Sequence, residues 1–150
     1  MPFVSLPASA RLGLVLLFIG LGATGAYGQD RATAPAVVPD TVVARVATAF
    51  ADGDAQTLLT PATDRVEVSL FGTRTFYSSA QAFYVLRDFF DSHPPATYAT
   101  GDATATGRSA FVQGRYDHRR DERTLQVYVR LVHRDERWQL QEVRIDADTE

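Results

Sequence analysis

The chain of 150 residues contains no cysteine, no lysine and no asparagine. The absence of cysteine excludes disulfides, thiolate metal sites, a cysteine nucleophile and the lipidated cysteine of a lipoprotein. The absence of lysine excludes a Schiff-base lysine and a lysine phosphate anchor, since all 15 basic residues are arginine. The chain is 45% hydrophobic and 22% charged, which is typical of a globular protein.

The formal net charge is only −3, with 18 acidic residues against 15 arginines. A mildly acidic domain offers no basic footprint for the phosphates of DNA or RNA, so we expect no nucleic-acid partner. We also expect no cofactor.

The N-terminus has the order of a cleavable signal peptide. Arg11 supplies a positive charge, residues 12–21 are almost wholly apolar, and residues 26–28 read Ala-Tyr-Gly, with small side chains where signal peptidase reads them. We therefore predict a signal peptide at residues 1–28, cleavage before Gln29, and an exported protein in the periplasm or outside the cell. The alternative is a membrane anchor, but the apolar run is shorter than the roughly 20 residues of a spanning helix.

The first part of the remaining chain predicts an extended lead-in and two helices. Residues 29–39 contain prolines among alanine, threonine and valine and read as a lead-in. Asp40 can cap a helix with one apolar stripe, and Gly53 is suited to end it. Asp54 can then cap a short second helix that continues to Leu59.

The middle and last parts predict strands around a third helix. Alternating apolar and polar residues predict strands at residues 65–70 and 73–77. A helix capped by Ser78 or Ser79 follows and ends before Pro94. The last third predicts an antiparallel meander. Its strands are residues 98–106, 110–118, 124–134 and 138–146.

The meander can be given a register and two faces. We place the centre of the first turn of the meander at Asp121-Glu122. This predicts that Tyr116 faces Val127 and that Arg115 faces Tyr128. Gly114 stands where a helix could approach the sheet closely. The apolar inner face is predicted to carry Val112, Gly114, Tyr116, His118, Leu125, Val127, Val129, Leu131 and His133. The mixed outer face is predicted to carry Phe111, Gln113, Arg115, Gln126, Tyr128, Arg130 and Val132.

The final strand changes phase. Trp138 and Leu140 occupy even-numbered positions, whereas Val143 and Ile145 occupy odd-numbered ones, so a regular strand would place the two pairs on opposite faces. A β-bulge near residues 141–142 would bring all four onto the inner face.

These segments resemble a known superfamily. A helix, the segment AFADGDAQTLL, a strand pair, a helix and a sheet that ends in W-x-L-x-x-V-x-I resemble the nuclear-transport-factor-2-like proteins from Val42 to Asp146. The segments SSAQAFYVLRDFFDSHPP, FVQGRY, LQVYVRL and WQLQEVRID are similar, more narrowly, to a small exported branch of unknown function. The resemblance implies a single α+β domain at residues 40–148, a cystatin-like cone in which a curved antiparallel sheet wraps on N-terminal helices. Other branches include isomerases, dehydratases, polyketide cyclases and non-catalytic modules, so the fold alone does not choose a function.

Three side chains are candidates for a ligand pocket. Tyr84, Tyr116 and His118 could line a cavity between the third helix and the concave sheet, which would suit a small apolar ligand. The alternative is that the two tyrosines simply pack. A His/Asp pair for acid–base chemistry would form if His118 met Asp88 or Asp91, and the alternative is a strand-end histidine beside a charged turn.

A three-histidine metal site is not expected. The register puts His118 and His133 at opposite ends of one hairpin, about 25 Å apart at the usual strand rise. His93 cannot bridge that distance.

The outer face is a candidate interface. Phe111, Arg115, Tyr128 and Arg130 project from it, and tyrosine and arginine are enriched at binding hot spots. We expect a homodimer or an exported partner protein there, and the alternative is a solvated face with Arg115 stacked on Tyr128. The sequence thus predicts an exported, non-catalytic module that binds a partner protein or a small apolar ligand in the cone. The alternative function is a cone-fold lyase or isomerase with a pocket His/Asp pair.

Overall fold

The computed structural model describes residues 37–148. The predicted signal peptide and most of the predicted lead-in lie outside the described residues. The described part holds three helices and six strands. Their bounds are α1 Asp40–Asp52, α2 Ala55–Leu58, β1 Ala62–Leu70, β2 Thr73–Ser78, α3 Ser79–Ser92, β3 Pro95–Thr106, β4 Ser109–His118, β5 Thr124–Arg134 and β6 Arg137–Ala147.

The six strands form one curved, unclosed sheet in the order β2-β1-β6-β5-β4-β3. Neighbouring strands are antiparallel except β1 and β6, which run parallel and make the sheet mixed. A parallel pair needs a long connection, and here α3 and the meander supply it. The predicted α+β class, with helices and a curved sheet in a single domain, is confirmed. The prediction of an antiparallel sheet is wrong at one place, because β1 lies parallel beside β6.

The helix ends follow the local sequence. Gly53 ends α1 at a φ of 68°, a left-handed conformation that costs glycine little. The Asp54 carboxylate accepts hydrogen bonds from two backbone N–H groups of α2, and Ser78 forms a capping box at α3. At α1 the predicted cap is wrong by one residue: Pro39 is the last extended residue, so Asp40 is already helical.

The helices pack on one face of the sheet, which we call the inner face. Every predicted inner-face residue of β4 and β5 is buried except His133, which is half-buried. The inner-face assignment made from period-two geometry is therefore confirmed. Of the residues predicted on the outer face, Val132 is also buried. Within residues 37–148, no helix is both long and apolar enough to cross a membrane.

The predicted β-bulge is present in β6. Arg130 pairs with Glu142, whereas the next residue, Leu131, pairs with Leu140, so Gln141 is the extra residue. The bulge changes which side chains point inward. The apolar residues on both sides of it are all buried: Trp138, Leu140, Val143 and Ile145.

The predicted register of β4 on β5 is wrong by two residues. Arg115 pairs with Gln126 instead of Tyr128, and Tyr116 pairs with Leu125. A slip of two residues keeps every side chain on its face. The face assignment therefore holds although the predicted cross-strand partners do not.

The carboxylate of Asp117 stabilises the observed register. It accepts hydrogen bonds from the hydroxyl of Thr124 on β5 at 2.7 Å and from that of Thr97 on β3 at 2.8 Å. These two bonds hold the pKa of Asp117 below its usual value. One side chain thus ties three neighbouring strands together, and its effect could not be read from the turn sequence.

Candidate functional site

Aromatic rings fill the space between the helices and the inner face. Phe50 of α1 stacks on Tyr98 of β3 with ring centroids 5.1 Å apart and lies edge-on to Tyr116. Phe89 of α3 contacts Tyr116 from the other side at 5.7 Å. Tyr116 is fully buried, and its hydroxyl donates to the backbone carbonyl of His93. The interior that could hold a ligand in a cone of this kind is occupied by the chain itself.

Gly114 leaves room for one of these rings. A Cβ atom at Gly114 would lie 2.7 Å from Cε2 of Tyr98 and closer still to its hydroxyl oxygen. The side chain that approaches Gly114 therefore comes from the neighbouring strand, and the predicted close approach of a helix is wrong. The Tyr98 hydroxyl is buried without a hydrogen-bond partner among the described residues, and burial raises the pKa of Tyr98 to about 12.

The opposite face of the sheet, which we call the open face, carries charged and aromatic side chains in rows. Each residue of a row pairs with its neighbour on the next strand. The first row runs from β2 to β3 as Phe76, Glu67, Glu142, Arg130, Phe111 and Thr104. The second row runs from β2 to β4 as Arg74, Ser69, Arg144, Tyr128 and Gln113.

A groove of about 660 Å³ lies on the open face where β1 separates from β6. Ala62 pairs with Leu140 and Glu67 pairs with Glu142, so four residues of β1 (63–66) lie opposite the single residue Gln141 of β6. The regular pairing of the two strands is interrupted there. The side-chain oxygen of Gln141 is buried and accepts no hydrogen bond from the part of the chain that the structure describes. The groove is lined by Thr63, Asp64, Arg65, Glu67, Phe76, Arg130, Arg134, Gln141 and Glu142.

Two ion pairs form beside the groove. Glu67 lies 2.7 Å from Nε of Arg74, and Glu142 lies 2.9 Å from Arg144. The two carboxylate side chains are only 14% and 10% exposed, so both ion pairs lie close to the sheet. The guanidinium of Arg144 lies 5.2 Å from the ring of Tyr128, and burial together with the Glu142 carboxylate raises the pKa of Tyr128.

Three further arginines line the groove without an acidic partner. Arg65, Arg130 and Arg134 form no ion pair with any residue in the described range. Arg65 lies over the ring of Phe76 at 6.0 Å, and Arg130 lies over the ring of Phe111 at 5.9 Å. Nε of Arg130 is buried without an acceptor among the described residues. The groove therefore presents positive charge next to aromatic surface.

Comparison with known families decides where the chain belongs. The sequence model of a family described as a domain of unknown function, DUF4783, matches residues 43–146. The chain belongs to the DUF4783 family. No curated protein matches it at a significant level.

Solved structures share the fold of this DUF4783 chain. A DUF4783 family protein from Bacteroides ovatus has a TM-score of 0.68 at 23% identity, covering 75% of this chain and 97% of that one. An NTF2-like protein of unknown function from Silicibacter pomeroyi has a TM-score of 0.54 at 13% identity, with coverages of 73% and 92%. A putative polyketide cyclase from Sinorhizobium meliloti has a TM-score of 0.56 at 15% identity, with coverages of 73% and 95%. The predicted nuclear-transport-factor-2-like fold is confirmed, and these identities carry no activity with them.

The DUF4783 domain does not bring the three predicted pocket residues together. Tyr84 is 56% exposed on the solvent side of α3, where Arg87 lies 5.0 Å from its ring. Tyr116 and His118 are buried on the inner face of the DUF4783 sheet. Ligand binding by these residues stays a prediction.

His118 has a different acidic partner from the two predicted ones. Its Nε2 atom lies 3.0 Å from the carboxylate of Asp121, in the turn that follows β4. The sequence predicted a contact with Asp88 or Asp91 of α3 instead. Because the turn folds back over the end of β4, the nearest carboxylate is three residues away in sequence.

The three histidines of the DUF4783 domain do not converge. His93 and His118 have ring centroids 5.0 Å apart, whereas His133 contacts Trp138 at 5.1 Å at the other end of the hairpin. Among residues 37–148, no three histidine or acidic side chains are grouped so that they could hold a metal ion.

The predicted interface residues lie on the open face of the DUF4783 domain. Phe111, Tyr128 and Arg130 are neighbours there, with the rings of Phe111 and Tyr128 5.8 Å apart. Arg115 lies farther along β4, and it does not stack on Tyr128 because the register differs by two residues. Arg144 takes that position over the Tyr128 ring. Their role in an interface stays a prediction.

Several groove residues were missed by reasoning from the sequence. Arg65, Glu67 and Phe76 come from the first two strands, and Glu142 comes from the last. Nothing local in the sequence shows that β1 lies beside β6. The phase change at Gln141 was the one available signal, because bulges often re-aim side chains beside functional sites.

Proposed function

We propose that this chain is an exported, non-catalytic binding module whose open face holds a partner polypeptide. The observation that carries the proposal is the groove at the β1–β6 bulge, which is concave, charged and rimmed by the exposed ring of Phe76. Concave sites that combine apolar surface with a few polar groups are typical binding sites. The aromatic and arginine residues of this face are the types that dominate binding energy.

The inner face is less suited to either of the other predicted functions. A small apolar ligand in the cone would have to displace the packed rings of Phe50, Tyr98 and Tyr116. An acid–base pair must reach a substrate, whereas His118 is buried and engaged by Asp121. We therefore favour binding over catalysis and the open face over the cone.

Export is the second part of the proposal, and the order of charge, apolar run and small residues in residues 1–28 supports it. Mass spectrometry of the protein from the exported fraction of the producing cells tests it. The expected mature N-terminus is Gln29. Exported protein that retains residues 1–28 would contradict cleavage, and protein found only in the cytoplasm would contradict export.

A photo-cross-linker tests the binding surface. Benzoylphenylalanine replaces Gln113, an exposed open-face residue, and in a matched control it replaces Arg87 on the solvent side of α3. In producing cells, we expect a polypeptide adduct at position 113 and none at position 87. Adducts that are no more abundant at position 113 than at position 87 would overturn the proposal.

A second measurement asks whether the partner is another copy of the chain. A two-fold contact would pair the open face with itself, so Tyr128→Glu combined with Arg130→Glu should lower the mass measured by light scattering. Circular dichroism checks that the variant stays folded. If light scattering shows that the unaltered protein is monomeric, the proposal requires that the adduct at position 113 contain a different protein.

A further inference from the structure

We propose that the groove binds the carboxylate side chains of an acidic polypeptide segment. This inference rests on the proposed binding function of the open face and names the chemistry of its partner. Its basis is the mismatch between the charges that line the groove and the ion pairs that they form.

The groove and its two flanking ion pairs carry an excess of positive charge. Glu67 and Glu142 are already neutralised by arginines, which leaves Asp64 as the one unpaired acid of the lining in the described range. The arginines of this region are Arg65, Arg74, Arg130, Arg134 and Arg144, and the acids are Asp64, Glu67 and Glu142. The lining alone is balanced, with three arginines against three acids. Because Arg74 and Arg144 pair with Glu67 and Glu142 from beside the groove, the three lining arginines are left with one unpaired acid. An acidic partner complements such a patch.

Two of the arginines lie beside aromatic rings. The guanidinium of Arg130 lies 5.9 Å from the ring centroid of Phe111, and that of Arg65 lies 6.0 Å from the ring centroid of Phe76. A guanidinium edge can donate two parallel hydrogen bonds to one carboxylate. Phe76 is 56% exposed, so it also offers apolar contact next to the charge.

Three buried polar atoms of the lining lack a hydrogen-bond partner within residues 37–148, and they favour a polypeptide over a small inorganic anion. Nε of Arg130 is a donor without an acceptor, and the side-chain oxygen of Gln141 is an acceptor without a donor. Oε1 of Glu67 is also without a hydrogen bond, although it forms an ion pair with Arg74 at 2.7 Å. Buried polar atoms are normally hydrogen-bonded. An acidic polypeptide supplies both a carboxylate acceptor and peptide N–H donors, whereas sulfate or phosphate supplies chiefly acceptors.

A second copy of the chain is a poorer occupant of the groove. In a two-fold contact the same patch meets itself, which would bring two sets of unpaired arginines together. Like charges that face each other across an interface are unfavourable. We therefore commit to a different, acidic partner.

The test uses the full chain, labelled with ¹⁵N, and two blocked pentapeptides of identical length, Glu-Leu-Glu-Leu-Glu and Gln-Leu-Gln-Leu-Gln. We expect the glutamate peptide to shift the side-chain Nε–Hε signal of Arg130 and to bind at least about tenfold more tightly than the glutamine peptide. Added salt should weaken the binding of the glutamate peptide, because screening weakens attraction between exposed charges. Equal affinity for both peptides, or no binding of the glutamate peptide, would overturn the inference.

Matched variants identify the groove as the place of binding. Arg130→Gln combined with Arg134→Gln should weaken the glutamate peptide at least about tenfold, whereas Arg87→Gln on α3 should leave the affinity unchanged. Arg65→Gln is a second variant at an exposed position, and it should also weaken binding if the double variant fails to fold. Unchanged affinity in these variants would refute this inference alone, because the cross-linking at position 113 tests the binding function separately.

Discussion

The inner and open faces belong to the same strands but are organised by different interactions. On the inner face, aromatic packing dominates, and the ring of Phe50 contacts those of Tyr98 and Tyr116. On the open face, arginines, acids and aromatic rings lie side by side in rows that cross the sheet. Packing constrains the inner face to one arrangement, whereas the open face keeps charges that its own residues do not satisfy.

The bulge at Gln141 serves both faces. It turns the apolar residues on either side of it toward the core, and it leaves Gln141 itself beside the groove. A continuous strand would have to expose Leu140 or Val143, because period-two geometry sends them to opposite faces. The irregularity that completes the core is therefore also the one that shapes the groove.

The largest contrast between the faces should come from Phe89→Ala. Phe89 is buried among aromatic rings of α3 and the inner face, so its loss should lower the free energy of unfolding by about 3–5 kcal/mol. Gln113→Ala on the open face should change it by less than about 0.5 kcal/mol. Urea unfolding of both variants measures the difference. Equal costs would show that the two faces have been assigned wrongly.

Gly114→Ala should have the next largest effect. The added methyl group would meet the ring of Tyr98, so we expect a loss of about 1–3 kcal/mol in the free energy of unfolding. In a Tyr98→Leu background the same change should cost clearly less, because the ring is gone. A double-mutant cycle by urea unfolding gives this coupling. Additive costs would contradict the contact.

Asp117→Ala tests the bond that ties β3, β4 and β5 together. The two threonine hydroxyls lose their acceptor, and we expect a loss of about 1–2 kcal/mol in the free energy of unfolding. Hydrogen exchange should rise first at the turn end of the β4–β5 hairpin. Asp102→Ala, an exposed residue of β3, is the control and should behave like the parent chain. Unaltered hydrogen exchange at this end of the hairpin would show that Asp117 does not stabilise the register.

The smallest expected effect is on the acid dependence of stability. Because the pKa of folded Asp117 lies below 3.8, its usual value, the folded state favours the carboxylate. Its contribution to stability is therefore present above about pH 4 and is lost as the pH falls through the folded pKa. Urea unfolding from pH 5 downward should show a shallower decline in Asp117→Asn than in the parent. Parallel curves would mean that Asp117 does not contribute.

Local features of this fold could be predicted from the sequence. The ends of the helices at Gly53, Asp54 and Ser78 depend on residues within one turn of each other. The faces of β4 and β5 and the bulge at Gln141 follow from the alternation of side chains along single strands. Each of these depends on short-range geometry, which the sequence displays directly.

Features that depend on distant contacts could not be predicted. In the observed register of β4, Asp117 contacts Thr97 on one neighbouring strand and Thr124 on the other. The groove depends on β1 lying parallel to β6, although more than sixty residues separate Glu67 from Glu142. Their charges were visible in the sequence, but their meeting on one face was not.

Tyr98 gives the interior a property that differs from ordinary packing. Its phenol ring lies flat on Phe50 and over Gly114, much as an aromatic guest would lie in an open cone. Because Tyr98 belongs to the same chain as the surface it covers, its ring acts there at a high effective concentration. A free molecule that takes the same place has to displace the Tyr98 ring, which competes with it as part of the same chain.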